Sequence, residues 1–118
     1  MAVVLIVEDD DAWRTALECE LRRRGHSAIG FSDYMGVLEL LETPIGVDTM
    51  LCDLRLPPGT PNGLSLSLMA RRRRPGLRIV LMTAMPDPPH GLANDFGALV
   101  SKTPDMHGIM DAAGLADS

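Results

Sequence analysis

The stretch Val47-Asp48-Thr49-Met50-Leu51-Cys52-Asp53-Leu54-Arg55-Leu56-Pro57 is the most informative part of the sequence for the fold. Residues 47–52 form an apolar run that predicts a buried strand, and the run ends at Asp53 in a loop rich in proline and glycine. A carboxylate at the carboxyl end of a buried strand lies where open α/β sheets bind their ligands. A lone aspartate in this position is more often a turn former, so Asp53 alone predicts no function.

A second acidic site precedes this stretch. The first apolar run, Val3–Val7, ends in the acidic residues Glu8, Asp9 and Asp10. The carboxyl ends of parallel strands meet at the same edge of a sheet. We therefore expect the acidic residues after both runs to converge on one pocket.

Apolar runs and amphipathic stretches alternate along the whole chain. Strands are predicted at residues 2–7, 27–31, 47–52, 77–82 and 98–101. A first helix is predicted at residues 11–24. Three more helices are predicted to begin after N-terminal caps, which are Ser32, Asn62 and Thr103, and Pro104 takes the first helical position after Thr103. The stretch from Leu64 to Leu68 alternates like a strand, but it continues into Met69-Ala70-Arg71, so we interpret it as helix. The order predicts an α/β fold, a doubly wound five-stranded parallel sheet with helices on both faces.

Composition excludes several classes of protein. The chain has 118 residues, 46% of them hydrophobic and 3% aromatic, which predicts one domain over residues 1–118 with an aliphatic core and no output domain. A net charge of −5 disfavours nucleic acid as a partner, and we interpret the run Arg71–Arg74 as a solvated helix end.

The amino terminus resembles no signal peptide and no stretch is long enough for a membrane span, so we expect a cytoplasmic protein without a membrane partner. Cys19 and Cys52 have no metal-site spacing and are predicted to be small buried or half-buried thiols.

Two further strand ends carry polar residues, Thr83 after the fourth strand and Lys102 after the fifth. With them the sequence resembles the receiver domain of two-component response regulators, a family with a flavodoxin-like fold. The resemblance covers essentially the whole chain and rests on an ordered set of motifs: Val7-Glu8-Asp9-Asp10, Asp53-Leu54-Arg55-Leu56-Pro57, Asn62-Gly63-Leu64, Thr83-Ala84, Gly97-Ala98 and Lys102.

The resemblance implies a phosphoacceptor function for Asp53. It implies that a histidine kinase or histidine phosphotransfer protein donates the phosphoryl group, and that an unknown downstream protein reads the result. Asp9, Asp53 and the Arg55 backbone carbonyl would bind Mg²⁺ directly, and Glu8 would bind it through water. Lys102 would neutralise the phosphoryl oxygens and Thr83 would hydrogen-bond to one of them. A cation is also expected from charge alone, since two carboxylates about 4 Å apart repel by about 4 kcal/mol at an effective dielectric constant near 20.

The sequence departs from the family pattern around the read-out surface. Leu99 stands where the family has a switch aromatic, and Thr103 follows Lys102 in place of a proline. We therefore predict a trans Lys102–Thr103 peptide bond. The prolines at 86, 88 and 89 predict a short or irregular fourth helix.

Two alternative functions differ from phosphoacceptor signalling. One is a phosphorylation-independent docking adaptor that keeps the receiver fold. The other is a Mg²⁺-dependent phosphohydrolase, which is disfavoured because Arg55 stands two positions after Asp53, where such enzymes commonly place a second aspartate. The receiver itself is not an enzyme in the usual sense, since it would catalyse only its own phosphorylation and dephosphorylation.

Overall fold

The protein is described by a computed structural model, which covers residues 1–85 and 98–115. The strands are β1 (Val3–Val7), β2 (Ser27–Phe31), β3 (Thr49–Asp53), β4 (Arg78–Thr83) and β5 (Ala98–Ser101). The helices within the described residues are α1 (Asp11–Arg23), α2 (Tyr34–Leu41), α3 (Gly63–Arg73) and α4 (His107–Ala112). The predicted α/β class and all five predicted strands are confirmed; β2 and β5 have the predicted bounds, and the bounds of the other three strands differ by one or two residues.

The five strands form one parallel sheet in the order β2-β1-β3-β4-β5. The central strand β3 is buried along its whole length, which is why its sequence is a continuous apolar run rather than an alternating one. Since every strand points the same way, the carboxyl ends of β1, β3, β4 and β5 lie along one edge of the sheet. This edge holds the predicted site.

The helices cover both faces of the sheet, as predicted. On one face α1 and α4 pack through Leu17, Leu21, Ile109 and Met110 against Ile6 and neighbouring strand residues. On the other face α2 and α3 pack through Val37, Leu41, Leu66 and Ala70, together with half-buried Tyr34 and Leu38. The core is almost entirely aliphatic, in agreement with the composition.

Side-chain caps fix the starts of three helices. Asp10 accepts hydrogen bonds from the backbone amides of Ala12 (3.0 Å) and Trp13 (3.2 Å) at the start of α1. Asn62 caps α3 as predicted, accepting from the Ser65 amide at 2.8 Å. The predicted Ser32 cap of α2 is wrong, because Asp33 accepts from the Met35 amide (3.0 Å) and the helix starts one residue later.

The predicted start of the last helix is also wrong. The Thr103 hydroxyl donates to the Asp105 carboxylate at 2.9 Å, so it is not placed to cap a helix, and α4 begins only at His107. The His107 amide donates to that same Asp105 carboxylate, at 3.1 Å. Before the helix the chain passes through Met106 in a left-handed conformation with φ 60°, while its side chain stays buried.

Three further predictions concern the two cysteines, the Lys102–Thr103 peptide bond and the fourth helix. Cys52 is buried, but Cys19 is exposed, so the expectation for Cys19 is wrong. The structure confirms a trans Lys102–Thr103 bond, since no peptide bond in the described residues is cis. The predicted fourth helix falls between Thr83 and β5, largely at residues 86–97, outside the described residues.

The arginine run at the end of α3 is partly exposed and also contacts the end of α2. Arg72 and Arg73 are exposed, as expected. Arg73 nevertheless pairs with Glu42, and Arg74 donates to the carbonyl oxygens of Leu41 (3.3 Å), Thr43 (2.7 Å) and Ile45 (2.8 Å). The run therefore joins the end of α3 to the end of α2, where unpaired carbonyl groups need donors.

Gly63 permits the closest approach between α3 and the strand that carries Asp53. A β-carbon on Gly63 would lie 2.1 Å from the Asp53 carbonyl oxygen and 2.9 Å from the Leu54 α-carbon. The Gly63 amide donates to the Leu54 carbonyl at 3.0 Å, which holds the helix against the end of the strand. Only glycine fits this contact without moving backbone atoms.

We therefore predict that Gly63→Ala destabilises the protein by about 1–3 kcal/mol, the usual cost of overpacking, although alanine is the better helix former. Urea unfolding measures the effect. Gly76→Ala is the matched control, because a β-carbon there meets no atom within 4 Å, and we expect a change within about 0.5 kcal/mol. Equal stability of the two variants would show that the Gly63 contact is not tight.

Candidate functional site

Four strand ends bring the predicted site residues together. Asp53 is the last residue of β3 and Thr83 the last of β4, while Glu8 and Lys102 directly follow β1 and β5. The strand register sets Val7 beside Cys52 and Thr83 beside Ser101, so these ends are level with one another. Backbone hydrogen bonds continue past the strands, from the Lys102 amide to the Thr83 carbonyl (2.7 Å) and from the Leu54 amide to the Met82 carbonyl (2.8 Å).

Three carboxylates form a cluster at this edge. One oxygen each from Glu8, Asp9 and Asp53 lies within 4.8 Å of the others. Glu8 is completely buried and Asp53 is 7% exposed, whereas Asp9 is exposed to solvent. The predicted convergence of the two acidic sites is therefore confirmed by geometry.

Lys102 is the cation that faces this cluster. Its ammonium nitrogen lies 2.6 Å from Glu8 Oε1 and 3.6 Å from Asp53 Oδ1. Its side chain is only 20% exposed, so the pairs are partly shielded from water and interact more strongly than surface pairs. The ammonium thus pairs with two of the three clustered carboxylates, Glu8 and Asp53, and one positive charge stands beside a cluster of three acidic groups.

The pKa shifts in the site agree with this shortage of positive charge. Burial raises the pKa of Glu8 to about 7, and the Asp53 charge adds to the rise, although the contact with Lys102 and the Asp10 amide oppose it. Burial alone would lower the pKa of Lys102, but its hydrogen bond to Glu8 and the charges of Glu8 and Asp53 outweigh burial and raise it. Because both pKa values are raised, Glu8 and Lys102 hold their protons more tightly in the folded pocket than the same side chains do when exposed to water.

The cluster has the chemistry of a site for a hard divalent cation. Carboxylate oxygens are the ligands that Mg²⁺ and Ca²⁺ prefer, and the exposed side of Asp9 leaves access for water molecules that such ions retain. A divalent ion would supply the positive charge that the pocket otherwise takes up as protons. The residues present therefore fit a metal ion.

Next to the cluster lies a pocket of about 280 Å³, lined by Asp53, Arg55, Thr83, Ala84, Met85 and Lys102. The Arg55 amide donates to Asp53 Oδ1 at 3.2 Å and holds the carboxylate in place. The Thr83 hydroxyl oxygen accepts from the Met85 amide at 3.2 Å, so its hydrogen can be donated to an oxygen in the pocket. The walls of the pocket thus offer an ammonium and a hydroxyl donor beside a carboxylate.

All the residues that sequence reasoning assigned to the site lie at this edge of the sheet. Glu8, Asp9 and Asp53 form the cluster, while Thr83, Lys102 and Arg55 line the pocket with Asp53. The Asp10 side chain instead caps α1, so it does not join the cluster that was expected to include the acidic residues after β1. Met85 was missed, because an exposed methionine after a strand carries no sequence signal of a role.

A family model described as the response regulator receiver domain matches residues 4–112. The chain belongs to the response regulator receiver family. The matched range includes both acidic sites, Thr83 and Lys102.

Relatives and solved structures agree with this assignment. The chain is 36% identical over 87 residues to the DNA-binding transcriptional regulator NtrC of Escherichia coli K12, and 35% identical over 85 residues to NtrC of Klebsiella pneumoniae. Each match covers 72% of the chain but only 18% of NtrC, so the chain spans about a fifth of these relatives' length.

The fold is shared with solved response regulators of lower identity. The response regulator TrrA of Thermotoga maritima, in complex with Mg²⁺-BeF, matches with a TM-score of 0.79 and 20% identity over 97% of both chains. A complex of TrrA with the histidine kinase ThkA gives a TM-score of 0.81 at 20% identity, again over 97% of both chains. A Burkholderia pseudomallei response regulator with a phosphorylated aspartic acid and a calcium ion matches with a TM-score of 0.80 and 21% identity, over 96% of this chain and 66% of that one.

Across residues 1–85 and 98–115, none of the helices reaches the length and apolar character needed to cross a bilayer.

The raised pKa of Glu8 predicts a pH-dependent metal affinity. Below about pH 7 a cation must displace the Glu8 proton, so we expect Mg²⁺ to bind more tightly as the pH rises from 6 to 8. Calorimetric titration with Mg²⁺ at several pH values measures this. Glu8→Gln should bind more weakly and lose the pH dependence, whereas a wild-type affinity that does not change with pH would contradict the assigned protonation of Glu8.

Proposed function

We propose that this receiver domain stores a signal as a phosphoryl group on Asp53. The observation that carries the proposal is the convergence of the acidic cluster, Lys102 and Thr83 around one nearly buried aspartate. Of the three carboxylates, only Asp53 also lines the adjoining pocket. An incoming phosphoryl group would therefore meet Asp53 there.

We further propose that the cation is Mg²⁺. Asp9, Asp53 and the Arg55 backbone carbonyl would bind it directly and Glu8 through water. When bound, Mg²⁺ would neutralise charge on the carboxylates and on the phosphoryl oxygens. This role is supported by the close approach of the three carboxylate oxygens, and the raised pKa of Glu8 agrees with it, because the buried carboxylate lacks enough positive charge nearby.

The transfer itself would be a displacement at phosphorus. A carboxylate oxygen of Asp53 forms the new P–O bond, and the P–N bond of a phosphohistidine breaks with its electron pair passing to the imidazole nitrogen. Lys102 lies 3.6 Å from Asp53 and supplies a positive charge beside the transferred oxygens. Thr83 can donate its hydroxyl hydrogen to one of those oxygens once the group is attached. The protein would thus catalyse only its own phosphorylation and dephosphorylation.

The phosphoryl donor is proposed to be a histidine kinase or a histidine phosphotransfer protein. This is supported by family membership and by the complex that TrrA, a structural neighbour, makes with the kinase ThkA. The receiver would pass its signal to a downstream protein. The alternative function, a docking adaptor, would need the receiver fold but not a cluster of carboxylates with a lysine beside it. The presence of both therefore favours a phosphoacceptor over an adaptor.

Incubation with acetyl phosphate and Mg²⁺, followed by mass measurement of the intact protein, tests the proposal. We expect one phosphoryl group per chain, dependent on Mg²⁺ and absent from Asp53→Asn. Asp48→Asn is a matched control, because Asp48 is an exposed aspartate that binds the Val3 amide at the far end of the sheet, and it should leave the adduct in place.

Each outcome identifies one function. A lasting adduct on Asp53 supports the phosphoacceptor, and rapid consumption of acetyl phosphate with no lasting adduct supports a phosphohydrolase. Absence of both adduct and turnover would contradict the proposal and leave the docking adaptor.

A further inference from the structure

Arg14, in the first turns of α1, contacts the loop that carries Glu8 and Asp9. Its guanidinium Nη1 donates to the Glu8 carbonyl oxygen at 2.7 Å. That carbonyl belongs to the peptide group that joins Glu8 to Asp9, and it lies beyond the last paired residue of β1, Val7. The orientation of this peptide group contributes to the direction in which each of the two side chains leaves the backbone, although the Glu8 amide is also held by the Phe31 carbonyl of β2 at 3.0 Å. Arg14 is thus bonded to the link between two of the three clustered acids.

Arg14 is itself held from two sides. Its Nη2 donates to Asp11 Oδ1 at 2.6 Å, and its Nε lies 3.8 Å from Glu18 Oε1. The side chain is only 18% exposed, so the guanidinium is fixed rather than free to move in solvent. A planar group with several donors can hold the carbonyl and both acids at once, which a lysine could not do.

Gly30 in strand β2 makes room for this arrangement. A β-carbon on Gly30 would lie 2.2 Å from Glu18 Oε1 and 3.1 Å from Arg14 Cδ. Gly30 pairs with Ile6, two residues before Glu8, so the space lies directly beside the end of β1. The glycine, the glutamate and the arginine form a connected support beneath the acidic loop.

We propose that Arg14 is a positioning residue of the cation site, which it orients through the Glu8–Asp9 peptide group without touching the ion or the phosphoryl group. This inference rests on the proposed function in naming the ion, but the contact itself lies within the protein. Losing such an outer partner typically weakens metal sites by tenfold or more.

The sign of the effect separates positioning from simple charge. Arg14 is a cation near a cation site, so removing it should strengthen Mg²⁺ binding if only its charge mattered. If Arg14 positions the carboxylates, removing it should weaken Mg²⁺ binding. The two roles therefore predict opposite changes.

Arg14→Met tests this by calorimetric titration with Mg²⁺, with Arg22→Met as the matched control. Arg22 is on the same helix and also lies near Glu18, at 3.6 Å, but it donates to the Ala28 carbonyl (3.0 Å), away from the acidic loop. We expect about tenfold weaker Mg²⁺ binding for Arg14→Met, and unchanged or slightly tighter binding for Arg22→Met. Unchanged or tighter binding for Arg14→Met, or equal weakening in both variants, would overturn the inference.

A second measurement needs no metal. The Asp10 amide donates to Glu8 Oε2 at 3.2 Å, so its hydrogen exchange, measured without added metal, reports the order of the acidic loop. We expect faster exchange at Asp10 in Arg14→Met than in the wild type, measured relative to the Leu51 amide in the central strand. Equal relative exchange in the two proteins would overturn the inference. Failure of the wild type to bind Mg²⁺ would instead count against the proposed function, and exchange at Asp10 would still decide the role of Arg14.

Discussion

The repulsion among Glu8, Asp9 and Asp53 is the constraint on which the functional edge of this protein depends. Their oxygens lie within 4.8 Å of one another, and Lys102 is the cation seen beside them. The parallel sheet forces this proximity, because β1 and β3 are neighbours and both end at the same edge. This repulsion lowers the free energy of unfolding, and it gives the folded protein a site that favours positive charge.

Contacts with neighbouring residues offset part of the repulsion between these carboxylates. The Arg55 and Asp10 amides donate to Asp53 and Glu8, and Lys102 lies against both carboxylates. Gly63 lets α3 approach the end of β3, which leaves little freedom for the backbone at Asp53. The backbone on the β3 side of the site is therefore held by contacts with α3 and β4. The β1 side depends on the loop after Val7, and there the bond from Arg14 to the Glu8 carbonyl supplies the order.

Much of this was predictable from sequence, for identifiable reasons. The apolar runs that end in Glu8, Asp53 and Thr83 locate strand ends, and parallel strands place such ends together. Helix starts were less predictable, because Ser32 and Asp33 are both good caps and only the geometry selects Asp33. Thr103 and Pro104 formed a good start signal, but Asp105 engages the Thr103 hydroxyl and α4 begins later. The roles of Arg14 and Gly30 depend on contacts between separate elements, which sequence periodicity does not encode.

If the folded pocket takes up a divalent cation to relieve this repulsion, Mg²⁺ must stabilise the protein through the three carboxylates. Thermal unfolding of the wild type and Asp9→Asn, each with and without millimolar Mg²⁺, measures this. We expect Mg²⁺ to raise the wild-type Tm, since a ligand that binds only the folded state stabilises it. Without added metal we expect Asp9→Asn to be more stable than the wild type, and we expect it to gain much less from Mg²⁺. A wild-type Tm that does not respond to Mg²⁺, or an Asp9→Asn variant that responds equally, would show that the carboxylates do not act as a cation site.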